Sequence, residues 1–319
     1  MFLAENRKKK MQMQEHEHKQ KHKQSAIGGQ AVIEGVMFKS RKGWAVAVRQ
    51  PGGGIKLKSE PLKTHAGEKV PFIRGVFILF YTLLLGMKAL EFSARVASEE
   101  DEKPLSPVQM GFTLLAALLA AAGLFLFLPL YTAKLAGSFI PAVAGSGFLF
   151  NLVDGVVRVV LFLLYIRAIG LWKEIGRIFE YHGAEHKVIH AYEAGHMDME
   201  KIKKESPLHP RCGTSFLLIV LALSILVFSV VPRDWPFYMK FLSRFALMPF
   251  VAGLSYEMLK AGAKYESNPV VRLFVLPGLA LQRLTTGEPD EKQLEVSLKA
   301  FEGVMSFEED PSGAGEKVF

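Results

Sequence analysis

Two short stretches hold the residue types that bind metals and move protons. The first is Glu180-Tyr181-His182-Gly183-Ala184-Glu185-His186-Lys187; about twenty residues later comes Leu208-His209-Pro210-Arg211-Cys212-Gly213-Thr214-Ser215-Phe216. Together they carry three of the nine histidines and the only cysteine. On a helix, His182 and His186 stand at i and i+4 and leave the same face one turn apart. With Glu185 beside them the spacing reads H-x-x-E-H, the zincin motif in inverted order, with the glutamate as general base. Two imidazoles alone bind an ion weakly. Further ligands would come from His209, Cys212, Glu193 or Glu257, and His209 and Cys212 fall three positions apart in a turn. The ion expected is zinc or another divalent transition metal. A catalytic zinc keeps three protein ligands and a water, whereas a structural one takes four. His190 continues the stripe, but three histidines in a helical row spread over more than about 10 Å. It is therefore not expected on the same ion. The plainer reading makes these histidines interfacial residues bonded to carboxylates, Cys212 a packing residue, and Arg211 and Lys187 headgroup anchors.

The elements that must position these residues are largely apolar. The chain has 319 residues, half of them hydrophobic, and the apolar ones come in blocks. Gly111 to Leu130 and Gly213 to Val231 carry no charge and are long enough to span hydrocarbon. Phe148 to Ile169 is a further span, with Asp154 and Arg158 one helical turn apart inside it, and Phe245 to Leu259 is a shorter one that Lys240, Arg244 and Lys260 extend by snorkelling. An intramembrane ion pair is expensive and suggests function by default, although its spacing also supplies a structural partner. The fold class expected is a mainly α integral membrane protein. It has about four transmembrane helices plus interfacial helices, and a small N-terminal antiparallel β meander.

The organisation reads as follows along the chain. Residues 1–24 form a disordered basic tail, and 25–70 a small cytosolic β region. In it Gly28–Phe38, Trp44–Arg49 and Ile55–Glu60 read as strands, with a Pro51–Gly54 turn. Residues 71–95 form an interfacial or transmembrane helix, since the run Gly75–Met87 is short for a span. Residues 109–260 are the transmembrane helical domain, with a cytosolic motif segment at 170–212. Residues 261–307 carry cytosolic or interfacial helices. One of them is amphipathic, with Leu294, Leu298, Phe301 and Met305 on one face. Residues 308–319 form a disordered tail.

Charge sets the orientation. Lys and Arg concentrate between Arg167 and Arg211, which places that segment and both termini in the cytosol. A single cysteine excludes an internal disulfide framework, and the first residues lack the apolar region of a signal peptide. The formal net charge is +8. The basic tail has anionic lipid as its nearer partner, so no nucleic acid is expected. The partners expected are the lipid bilayer and either a membrane-protein partner or a peptide or lipid-linked substrate.

Several long motifs occur in one order: Gly29-Gln30-Ala31-Val32-Ile33-Glu34-Gly35-Val36-Met37, Pro71-Phe72-Ile73-Arg74-Gly75, the two stretches above, Tyr192-Glu193-Ala194-Gly195, Ser255-Tyr256-Glu257 and Pro277-Gly278-Leu279. On these the chain resembles the YqhQ family of bacterial membrane proteins, a domain of unknown function described as predicted metal-dependent enzymes. The resemblance covers nearly everything from Ile27 to about Ala300. It implies a multi-pass protein of the bacterial inner membrane and little about a reaction. The residues thus point to a metal site at the cytosolic membrane face. His182, His186, His209, Cys212 and Glu257 would be the metal set and Glu185 the catalytic base of a metal-dependent hydrolase. The alternative is a non-enzymatic membrane factor, with the same cluster as a structural site. A transporter fits less well, because only Asp154 and Arg158 are charged within a span.

Overall fold

The computed structural model describes residues 27–62, 73–98, 106–232, 234–265, 268–309 and 315–319. The expected disordered basic tail lies outside them. The fold is mostly helical, with one antiparallel sheet in strand order β1-β2-β3-β4-β5. The strands are β1 (Gly28–Val32), β2 (Gly35–Lys39), β3 (Gly43–Arg49), β4 (Ile55–Pro61) and β5 (Gly315–Val318). The expected first strand, Gly28 to Phe38, is instead a hairpin that turns at Ile33 and Glu34. Neither residue is a usual turn former, and Glu34 sits at φ 49°. A tertiary contact holds it, because its carboxylate takes two hydrogen bonds from Arg177, each 2.5 Å. β5 lies inside the tail expected to be disordered. All four of its residues are exposed, so no hydrophobic alternation marked it; it pairs antiparallel with β4, with an ion pair of Glu316 to Lys56 (3.4 Å) beside the backbone ladder.

The sheet is covered on both faces, which explains why Trp44 to Val48 is buried at every position. Val32, Met37, Trp44, Val46 and Val48 pack on the second half of α1 (Ile73–Ser98), against Leu85, Ala89, Phe92 and Val96. Phe38, Ala45, Ala47 and Leu57 face α11 (Glu291–Glu309) and the site helix α6 (Lys173–Ala194). The expected stripe Leu294, Leu298, Phe301 and Met305 is part of this second cluster.

The other helices are α2 (Pro107–Ala122), α3 (Leu128–Phe139), α4 (Pro141–Gly145), α5 (Gly147–Ile169), α7 (Met199–Ile202), α8 (Gly213–Phe228), α9 (Phe237–Lys264) and α10 (Pro269–Thr285). A π-helical turn, Gly123–Phe127, joins α2 to α3, so the helix runs on through Phe139, past the expected end of this span at Leu130. Among the described residues, four helices are long and apolar enough to cross a membrane: Arg74–Ser98, Val108–Phe139, Gly147–Ile169 and Phe237–Gly262. Their outer faces carry Phe80, Phe112, Leu119, Phe148 and Leu164 in the open, which points to a bilayer environment. The set differs from the expected one. α8 has only 16 residues, about 24 Å of helix against ~30 Å of hydrocarbon. α9 begins well before the expected Phe245, so Arg244 lies two turns inside it. Arg244 does not snorkel. It is fully buried and reaches Asp154 Oδ2 (3.2 Å) and Asn151 Oδ1 (3.1 Å). Arg158 holds the same Asp154 oxygen at 2.7 Å and bonds Ser224. The expected ion pair is therefore a cluster of one aspartate and two arginines.

Candidate metal centre

α6 is a helix with a hydrophobic back and a polar front. Tyr181, Ala184, Val188, Ala191 and Tyr192 pack into the core against the sheet and α11. That fixes the helix's rotation, and His182, His186 and His190, at successive i+4 steps, face the turn before α8. The helix stops at Gly195, whose φ of 78° is the left-handed cap conformation. At Gly183 a side chain is impossible: a Cβ there would stand 2.0 Å from the Gly287 carbonyl oxygen. This close approach brings the segment after α10 against the site.

Each of the three histidines spends one ring N–H on a main-chain carbonyl. His182 Nδ1 donates to Thr285 O (2.8 Å), His186 Nδ1 to Pro207 O (2.6 Å) and His190 Nε2 to Leu208 O (2.9 Å). Such a bond fixes the tautomer and leaves the opposite nitrogen with a lone pair, as metal-ligating histidines are usually held. The free nitrogen of His186, Nε2, is buried and has no hydrogen-bond partner among the described residues. His182 Nε2 lies 3.2 Å from Cys212 Sγ, and the two imidazole rings are 4.4 Å apart. The ligand atoms of His182, His186 and Cys212 all fall within 4.8 Å of one another. Burial, then the neighbouring His182, pushes the His186 ring down to about 2, so it is neutral. Burial raises the Cys212 thiol, although Thr214 works against it. Cys212 is the N-cap of α8, its sulfur receiving the Thr214 N–H.

A second group, His190, Glu193 and His209, is equally compact. In it the ring lone pair of His209 is already used by a hydrogen bond. His209 Nδ1 accepts the Arg211 N–H (3.3 Å), so its proton is on Nε2, directed at Glu193 Oε2 3.5 Å away. Glu193 also receives Arg211. Burial pushes the Glu193 carboxyl up, but His209 and Arg211 more than offset it and hold it below the usual range. Burial lowers the His209 ring despite Glu193. Among the expected ligands, then, His209 stands beside the first group as a hydrogen-bonded neighbour. Gln282 secures it by exchanging two 2.8 Å bonds with its backbone. Glu257 is elsewhere: both its oxygens are held by Arg74, at 2.8 and 2.5 Å.

Glu185 lies under strand β1. A Cβ on Gly29 would meet its carboxylate at 2.6 Å, so any side chain there would have to displace the Glu185 carboxyl. The Gly29 backbone donates to the carboxyl, but burial dominates and pushes it up to about 8, with His182 opposing the rise. Glu185, His182, His186 and Cys212 border one cavity of about 870 Å³. Gly29 and Gln282 carried no chemical signal in the sequence. Their roles come from close approach and backbone clamping, which spacing does not reveal.

The family described as "Protein of unknown function (DUF1385)" matches residues 70–307. The chain is 33% identical over 301 residues to "Uncharacterized protein YqhQ" of Bacillus subtilis (strain 168), an alignment that covers 89% of this chain and 93% of that protein. No solved structure matches.

Proposed function

The chain belongs to the DUF1385 family, whose description assigns no activity, and from its own geometry we propose that it is a multi-pass membrane protein with a transition-metal site at the cytosolic membrane face. The ligands are His182, His186 and Cys212, and the ion is zinc or a similar divalent metal. One observation carries this reading: His186 presents a neutral, buried, unpartnered Nε2 while its Nδ1 is bonded to Pro207 O. An unpaired buried nitrogen costs about 1–3 kcal/mol, and a bound cation would satisfy it. The donor set of two imidazoles and one thiol suits zinc.

Three protein ligands beside a large cavity favour a catalytic over a structural site, because a coordination position stays open. We extend the reading to a hydrolase. When bound, the ion would supply Lewis acidity and activate water. Glu185 would hold and pass the proton, with the Gly29 N–H orienting its carboxyl. Pro207 and Thr285 would keep the two ligand rings in their working tautomers. A docking role has its own support: Glu34 with Arg177, and Gly29 over Glu185, join the β1–β2 hairpin to α6.

Elemental analysis of the purified protein tests this. About one zinc per chain is expected, lost in His182→Ala, His186→Ala and Cys212→Ser. It should be kept in Glu185→Gln, His190→Ala and Glu257→Gln. Wild-type protein free of metal, or a His186→Ala protein with unchanged content, would sink the proposal. A Glu185→Gln protein that keeps both metal and full cellular function would favour the docking role.

A further inference from the structure

The cavity reaches well beyond the metal cluster, and its walls differ in chemistry. Ile78 and Tyr81 of α1 form one wall; Phe162 and Ile166, in the last turns of α5, form another. These are residues of long apolar helices with lipid-facing surfaces. The polar end holds Glu185 and the histidines. The rim carries Lys39, whose Nζ sits 5.0 Å over the Tyr81 ring, and the exposed Arg41 of the β2–β3 turn. At about 870 Å³ the space exceeds what a water or a bare anion needs and falls in the range of small-ligand sites. A ligand that fits must be amphiphilic, with apolar chain between α1 and α5 and negative charge facing the rim.

We propose that the cavity binds an anionic membrane phospholipid, one whose headgroup phosphate is not balanced by a headgroup cation. Lys39 and Arg41 receive the phosphate, and the Ile78/Phe162 slot receives the first part of an acyl chain. As a substrate class this rests on the proposed metal site, but binding itself does not require the metal.

The test is native mass spectrometry of the full chain, released from micelles that contain phosphatidylglycerol or phosphatidylcholine. One retained phosphatidylglycerol per chain is expected, held about tenfold more strongly than phosphatidylcholine, because both carry a phosphate but only choline sets a cation against Lys39 and Arg41. Lys39→Ser with Arg41→Ser, at an exposed rim, should erase that preference. Leu217→Trp, which narrows the apolar slot, should abolish retention. Equal retention of both lipids by wild type would overturn the proposal. So would displacement of the lipid by millimolar glycerol 3-phosphate, which would assign the site to free phosphate. The His182→Ala/His186→Ala protein should lose the metal and still retain the lipid. No metal in wild type with lipid retained overturns the metal site alone; metal present with no lipid retained overturns this proposal alone.

Discussion

Asp154 shows how a single residue can be worth more than its pair. The sequence offered Arg158 as its partner, and a double change of the two would then leave nothing stranded. Because Arg244 also holds Asp154, removing the carboxylate strands two guanidiniums stacked at 5.0 and 4.9 Å on Phe228. Asp154→Asn should lower unfolding stability in micelles by about 3–5 kcal/mol. Adding Arg158→Gln should recover only part of it, and the triple change with Arg244→Gln should recover more. Full recovery by the double change would show that Arg244 is not coupled. Glu185 gives a pH prediction for metal-free protein. Its folded value, about 8, lies above the unfolded one. The stability its neutral form contributes is therefore complete below about pH 4.5 and is lost as pH rises through 8. Wild type should lose melting temperature between pH 5 and 8, and Glu185→Gln should lose less. Identical pH slopes would mean the carboxyl is not held neutral.

Among the elements, those with strong periodicity or long apolar runs were legible: the α5 span, the amphipathic helix at Glu291–Glu309, and strands β3 and β4. The histidine face of α6 was legible too, because i+4 spacing is a property of the helix itself. The β1–β2 turn was not, since Arg177, far along the chain, stabilises it. β5 was not, because all four of its residues are exposed. α1 was ambiguous for a reason now visible. Its first half shows Phe77, Phe80 and Leu83 outward, whereas its second half buries Ala89 and Phe92 under the sheet. Phe92→Ala should thus destabilise by about 3–5 kcal/mol, whereas Phe80→Ala should change stability by under about 0.5 kcal/mol. Denaturant unfolding in micelles measures both, and equal effects would contradict the two-sided helix.

At the scale of the molecule, α1 is tied at both ends to one side of the bundle. Arg74 bonds Glu257, about 20 Å along α9 from Arg244 and the buried charge cluster. Its second half lies under the sheet that covers Glu185. The helix is long enough to cross a membrane, and both attachments are equally compatible with the interfacial alternative. The charge bias would assign the sheet and the α6 segment to the cytosol. A cysteine at Gly52, in the exposed β3–β4 turn, should then resist membrane-impermeant maleimide added to intact cells in a Cys212→Ser background. Rapid labelling would reverse the orientation.

The enclosure of α6 by the end of the chain has a consequence for biosynthesis. His182 leans on Thr285, Lys187 on Glu288 and Glu180 on Gln293, while β5 finishes the sheet's edge. A ribosome delivers these residues after the four long apolar helices of the described residues. A released chain ending before Thr285 would hold the four long apolar helices of the described residues, yet His182 would lack the carbonyl that sets its tautomer. Insertion and assembly of the centre are thereby separated in time, and truncated products would be membrane-bound but without a formed centre.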